Sequence, residues 1–198
     1  MNLEQAPPPQ PTPVPTLHTA RLVIRPLRES DVPAIQRNFQ DYETVRFLAA
    51  AVPWPYPQDG ASTWFKNIVQ PGQGTANWSW AICHKETPDQ LIGVLELFRE
   101  GRPSHRGFWL DRRFWGNGYM HEAVEVVNDY AFDVLGYERL MLDNAVGNTR
   151  SSRIKEKTGA RFIEIAEAKF VDPSVTKIER WELTKEAWHK VRGRAASE

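Results

Sequence analysis

Cysteine occurs once in the chain, at Cys83, and histidine five times at scattered positions. One thiol excludes an intrachain disulfide and a cysteine-based zinc site. His18, His84, His105, His121 and His189 include no pair at the spacing of helical metal ligands, so no metal is expected. No apolar run reaches the roughly 20 residues that span a bilayer. The opening segment, MNLEQAPPPQPTPVPT, lacks both the basic and the apolar stretch of a secretory signal. Net charge of one sign is also missing: 25 Lys and Arg balance 25 Asp and Glu. That balance removes the usual electrostatic reason to expect a nucleic acid or an anionic membrane as partner. These absences together fit a cytoplasmic protein, monomer or homodimer, with no nucleic-acid or membrane partner.

Proline is plentiful, and six of the 15 lie between Pro7 and Pro15. Such a segment can form neither a helix nor a strand ladder, and it has little apolar surface to bury. Residues 1–16 are therefore expected to be a disordered or polyproline-like tail, 17–190 one folded domain, and 191–198 a second tail. Within the domain, RLVIRPL alternates as a strand stopped by its proline. ESDVPAIQRNFQ opens a helix, with Ser30 or Asp31 as N-cap and Pro33 in the first turn. A proline-broken loop, AAVPWPYPQDG, precedes a second short helix, STWFKNIV. NWSWAICHK and QLIGVLELFRE read as a hairpin turning at ETPD, and HRGFWLD as a further strand. In the helix after it, Ala123, Val126, Val127, Tyr130, Ala131 and Val134 recur at helical spacing. ERLMLDNAV, NTRSSRIKEKTGA, RFIEIAEAKFV and KIERWELT follow as strand, helix, strand and strand. The order predicts one α/β (α+β) domain with a mixed, mostly antiparallel central sheet of about seven strands flanked by helices.

The stretch RRFWGNGYM, between the strand RGFWLD and the long helix, forms a strand, glycine turn and helix N-terminus in series. That sequence of elements is an anion site, because the first amides of a helix lack intrahelical acceptors and carry the positive end of its dipole. A P-loop would need a Gly-Lys-Ser/Thr run, which is absent. A dinucleotide fingerprint would need a third glycine where His121 stands. What remains is [QR]-x-x-G-x-[GA], matched by Arg113, Gly116 and Gly118. With TARLVIRPL near the start, GFWLDRRFWGNGYMHEAV around the loop and NTRSSRIKEKTGARF further on, the chain resembles the GNAT superfamily of N-acetyltransferases, in its ribosomal-protein-alanine acetyltransferase (RimJ/RimL) branch. The resemblance runs from about Thr19 to Thr184.

The resemblance implies acetyl transfer from acetyl-coenzyme A to a primary amine, by direct attack in a ternary complex and with no metal. The amine would be a protein N-terminus or a small molecule such as an aminoglycoside or polyamine. Backbone amides from Arg113 through Gly116, Asn117 and Gly118 to Tyr119 would hold the pyrophosphate. The pantetheine would pair with backbone near Trp109 and Leu110, and Asn148 would bond it or simply cap its helix. Ser151 is the candidate acid for the leaving thiolate, since Phe162 and Phe170 but no tyrosine follow Tyr137. Glu96, a carboxylate inside the apolar run LIGVLELF, is the candidate base, with Asp143 and Glu167 as rivals and Glu164 and Asp172 out of step. Its other reading is a carboxylate on the exposed face of its strand. Trp54 and Tyr56 are candidates for contact with the acceptor, or else anchors for their loop. A strongly cationic acceptor would favour an acidic cleft drawn from Glu96, Glu100, Asp143 and Glu167. The competing reading is a coenzyme A-binding sensor or interaction module without catalysis.

Overall fold

The computed structural model describes residues 11–99 and 103–193. Eight strands form two antiparallel sheets, one of five strands and one of three. In the first, β1 (Leu17–His18), β2 (Leu22–Pro26), β3 (Asn77–His84), β4 (Thr87–Phe98) and β5 (Arg106–Leu110) pair in chain order. In the second, β8 (Lys177–Thr184) lies between β6 (Arg139–Ala145) and β7 (Arg161–Glu167). The expected fold class is borne out, and the short β1 is the strand that the sequence did not single out.

Alternation along the central strands supplies two cores. Trp78, Trp80, Ile82, Leu95 and Leu97 face α5 (Tyr119–Asp129), while Ala81, Cys83 and Val94 face Ile35 of α1 (Val32–Asn38) and Ala61 of α3 (Gly60–Trp64). Period-two strands covered on both faces need helices on both sides, and α1 and α3 lie opposite α5. The short helices α2 (Tyr42–Val45) and α4 (Gln70–Gly72) complete the series before β3. The β3–β4 turn is tighter than ETPD suggested, since His84 already pairs with Thr87. Asp31 occupies the N-cap of α1 but makes no side-chain cap bond to it. It accepts instead from both terminal nitrogens of Arg25 at 2.8 Å and from the Arg28 amide. Arg25 and Asp31 are both buried, which ties β2 to the start of α1.

Three other differences have identifiable causes. Val134 is 61% exposed although the helical spacing placed it inward. The last turn, Tyr130–Val134, is a π-helix, whose wider winding shifts the phase of the apolar stripe. At the N-terminus, order begins before Leu17. The carbonyls of Thr12, Pro13 and Pro15 accept from Trp78 Nε1, Tyr130 Oη and Trp80 Nε1 at 3.1, 3.1 and 2.8 Å. At the other end α7 (Lys185–Val191) buries Trp188, and Arg192 beyond it pairs with Glu125 and Asp129. The packed body therefore includes residues 11–16 and 191–193. The remainder of both expected tails, and Glu100, lie outside the described residues.

The site is set by where the two sheets meet. His105 N donates to Met141 O at 2.8 Å, Met141 N to His105 Nδ1 at 2.9 Å, and Asp143 N to Ser104 Oγ at 3.2 Å. Beyond that junction no ladder joins β5 to β6, and the two edges part.

Candidate active site

The parted edges open a cleft of about 620 Å³. One wall is the loop that the sequence singled out. Asp111, itself buried, caps the short 3₁₀ turn Arg112–Phe114 by accepting from Arg113 N at 2.9 Å. Burial alone would raise its carboxyl, but the Arg113 guanidinium and amide hold it below the usual carboxylate range. Gly116 and Gly118 then take left-handed φ values of 80° and 78°, and Gly118 is the N-cap of α5. A β-carbon would be strained at either position. At Gly116 it would also project into open space, with nothing within 4 Å.

This geometry sorts the expected amide donors. Arg113 N is already used by Asp111, Phe114 N by Asp111 O and Trp115 N by Arg112 O. The amides of Gly116, Asn117 and Gly118 make no such bond among the described residues. Arg113 is thus a clamp on Asp111 rather than an amide donor to a ligand, and neither it nor Asn117 lines the cleft. The Asn117 side chain folds back on Phe114 O and Trp115 O. Gly116, Gly118 and Tyr119 do line it, as do Trp109 and Leu110. The Leu110 carbonyl already accepts from Trp115 Nε1 at 2.7 Å.

The opposite wall is α6 (Thr149–Lys157). Asn148 caps it, accepting from Ser151 N, and also lines the cleft. Arg150, Arg153 and Lys157 add cationic surface, and Arg150 lies 3.8 Å over the Trp115 ring. Ser151 is buried in the cleft wall, whereas Ser152 turns away and donates to Glu179. Lys155, one turn beyond Ser151, is also buried here and donates from Nζ to Ser151 Oγ at 2.9 Å. Sequence reading passed over it because a lysine in RSSRIKEK looks solvated. Only the i, i+4 relation to Ser151 could have drawn attention to it.

The acid–base candidates separate in the same way. Glu96 shares a face with Val94 and Phe98 as expected, but it does not line the cleft and accepts from Ser79 Oγ at 2.8 Å. Asp143 does line it. Burial pushes the Asp143 carboxyl above its ordinary value, only partly offset by Arg180 and Lys155, and its Oδ1 has no hydrogen-bond partner among the described residues. Glu167 does not reach the cleft. Trp54 and Tyr56 also lie away from it: Trp54 stacks on Tyr42 and Tyr56 on Phe39. They anchor their own loop, and the aromatics that line the cleft include Phe47, Phe98, Phe108 and Phe170. On the floor, Arg106 donates to Asn128 at 2.7 Å, and burial lowers its pKa to about 9.

A second residue missed from sequence is Glu122. Its carboxylate accepts from the Thr19 hydroxyl and from Arg21 N and Nε. It thereby fastens the segment TARL to the first turn of α5, and Arg21 in turn stacks on Tyr119. Two of the motifs noted separately in the sequence are parts of one structure.

A glycine-stiffened loop at a helix N-terminus, facing cations across a split sheet, suits a bound pyrophosphate. The Acetyltransferase (GNAT) domain family model matches residues 21–161. The chain belongs to this family. Its fit to coenzyme A is physical as well: the open space at Gly116 and the loop amides on one wall face the α6 cations on the other. Among similar proteins is the FsC-acetyl coenzyme A-N(2)-transacetylase of Aspergillus fumigatus, 28% identical over 191 residues, covering 88% of this chain and 78% of that protein. The ribosomal-protein-S5-alanine acetyltransferase of Vibrio fischeri superposes with a TM-score of 0.73 at 17% identity, covering 88% of this chain and 98% of that one. The spermidine N-acetyltransferase of Vibrio cholerae, in complex with CoA and spermine, gives 0.70 at 17% identity, covering 84% and 97%. This GNAT member is an acetyl-coenzyme A-dependent acyltransferase. No helix among its described residues is long and apolar enough to cross a membrane.

Proposed function

We propose that this acetyltransferase acts on a primary amine carrying a single charge and an apolar body, by direct attack on the thioester in a ternary complex. The observation that carries the reading is the balance of groups on the cleft wall. Glu43 and Asp143 are its only two carboxylates among the described residues, against Arg106, Arg150, Arg153, Lys155 and Lys157. Those cations suit the phosphates of the donor, and they oppose a polyamine or an aminoglycoside. Phe47, Leu48, Phe98 and Phe170 offer apolar surface to the body of the acceptor. A protein N-terminus meets this description, in keeping with the motif resemblance to the RimJ/RimL branch and the fold of the Vibrio fischeri enzyme. A small hydrophobic monoamine meets it equally.

In this reading Asp143, rather than Glu96, takes the proton of the attacking amine, directly or through water. The raised affinity of its carboxyl for a proton suits that task. Ser151 delivers a proton to the leaving sulfur. Amides of the glycine loop hold the pyrophosphate, and Asn148 meets the pantetheine arm.

Thiol release from acetyl-coenzyme A, followed with a panel of amines, tests the proposal. Peptides with free N-termini and hydrophobic monoamines are expected to turn over faster than spermidine or aminoglycosides. Preference for polycations overturns the acceptor assignment. Binding of the cofactor with no turnover on any amine overturns the transferase reading in favour of a coenzyme A-binding sensor.

A further inference from the structure

Ser151 and Lys155 stand four residues apart on α6, so one helical turn places both side chains on the same face. That face is turned inward: Ser151 is 5% exposed and Lys155 1%. Both line the cleft, and Lys155 Nζ bonds Ser151 Oγ at 2.9 Å. Burying an ammonium is costly, and an apolar residue of the same length would fill the space without that cost. Packing alone does not account for a lysine there, bonded as it is to Ser151.

The groups around Lys155 come from every neighbouring element. Arg106 on β5 opposes a second positive charge, while Asp143 on β6 and Glu179 on β8 favour it. Glu179 is already engaged by Asn144, Ser152 and Trp181. His121 on α5 lines the same cleft. Burial first, then Arg106, hold Lys155 well below its ordinary value, which makes its ammonium a stronger acid than that of a surface lysine.

We propose that Lys155 is the proton source behind Ser151. As the C–S bond of the tetrahedral intermediate breaks, Ser151 Oγ–H protonates the departing coenzyme A sulfur, and Lys155 Nζ–H replaces that proton on the serine oxygen. The proton given up by the attacking amine then restores the ammonium, so each turnover moves one proton from nitrogen to sulfur and leaves the enzyme unchanged. The inference rests on the acetyl-transfer reading and on Ser151 as the group facing sulfur. Lys155 meets the substrate only through Ser151 and is a positioning residue, not a catalytic one.

The test follows thiol release from acetyl-coenzyme A with the fastest amine of the panel, from neutral to alkaline pH. It compares wild type, Ser151→Ala, Lys155→Gln, Lys155→Met and the Ser151→Ala/Lys155→Met double variant. Each Lys155 variant should lower kcat by about 10²-fold, the low end for a proton-transfer group because it acts through Ser151, with KM for acetyl-coenzyme A little changed. The fall in rate expected of wild type at alkaline pH should vanish, and the double variant should be no slower than Ser151→Ala alone. Wild-type kcat with the alkaline fall intact overturns the proposal, as does a double variant slowed by the product of the two single effects. Retention of the acetyl-coenzyme A-induced rise in Tm shows that each variant folds. A titration of the Lys155 ε-carbon by NMR gives an independent reading. A Lys155 pKa that stays put in Ser151→Ala would also refute the coupling. Failure of wild type to acetylate any amine would instead sink the transferase reading itself.

Discussion

At the scale of single residues, the proposed base is Asp143 rather than Glu96. Glu96 is conspicuous in sequence because it interrupts an apolar strand, yet its partner across β3 explains it: the Ser79 hydroxyl bonds it, and Asn77 bonds Ser79 in turn. Asp143 is inconspicuous in sequence but stands on the cleft wall with one oxygen unpartnered. A general base works only when ionised, and burial raises the pH at which Asp143 ionises. The wild-type rate should therefore climb with pH through that raised pKa. Asp143→Asn is expected to lose the climb and to cut kcat by about 10²–10⁴, while Glu96→Gln keeps both within about threefold. pH–rate profiles of the two variants decide between them, and the reverse ranking would return the role to Glu96.

At the scale of elements, the loop between β5 and α5 depends on backbone shape more than on side chains. Asp111 and Arg113 lock its first turn, and two left-handed glycines follow on the cleft wall. Gly116→Val introduces a β-branched residue where φ is positive, at about 1–2 kcal/mol of strain. Its side chain would extend into the open space that suits the pyrophosphate. The apo Tm should fall by a few degrees, and the stabilisation by acetyl-coenzyme A should largely disappear. Calorimetry with and without cofactor measures both, and an undiminished cofactor shift would rule out this loop as the pyrophosphate cradle.

At the scale of the whole molecule, the proline-rich start is partly structural. Trp78 and Trp80 are fully buried, and their indole N–H groups, with the Tyr130 hydroxyl, find acceptors on the segment from Thr12 to Pro15. Proline lacks an amide hydrogen but keeps its carbonyl, so a segment that cannot join a ladder can still cap buried donors. Removing residues 1–16 leaves three such donors without those partners, at about 1–3 kcal/mol for each that stays unsatisfied. Urea denaturation of the truncated chain should show a clearly lower midpoint with activity preserved in dilute buffer. A midpoint equal to wild type would mean that solvent replaces the lost acceptors.

By itself the sequence determined the parts whose signal is local. Period-two strands, the long amphipathic helix and the strand–glycine–helix order followed from patterns within a few tens of residues. With the motif resemblance they pointed to the donor, because amide dipoles at a helix N-terminus do not depend on distant neighbours. The tertiary structure alone decided which ionisable groups share the cleft. Asp143, Arg106 and Lys155 lie on three different elements; burial alters the proton affinity of each, and charges on other elements act further on Asp143 and Lys155. Glu122, which joins Thr19 and Arg21 to α5, and the carbonyls that satisfy Trp78 and Trp80 are likewise contacts across more than 60 positions of chain. Desolvation and long-range pairing are properties of the folded interior, and no window along the sequence contains them.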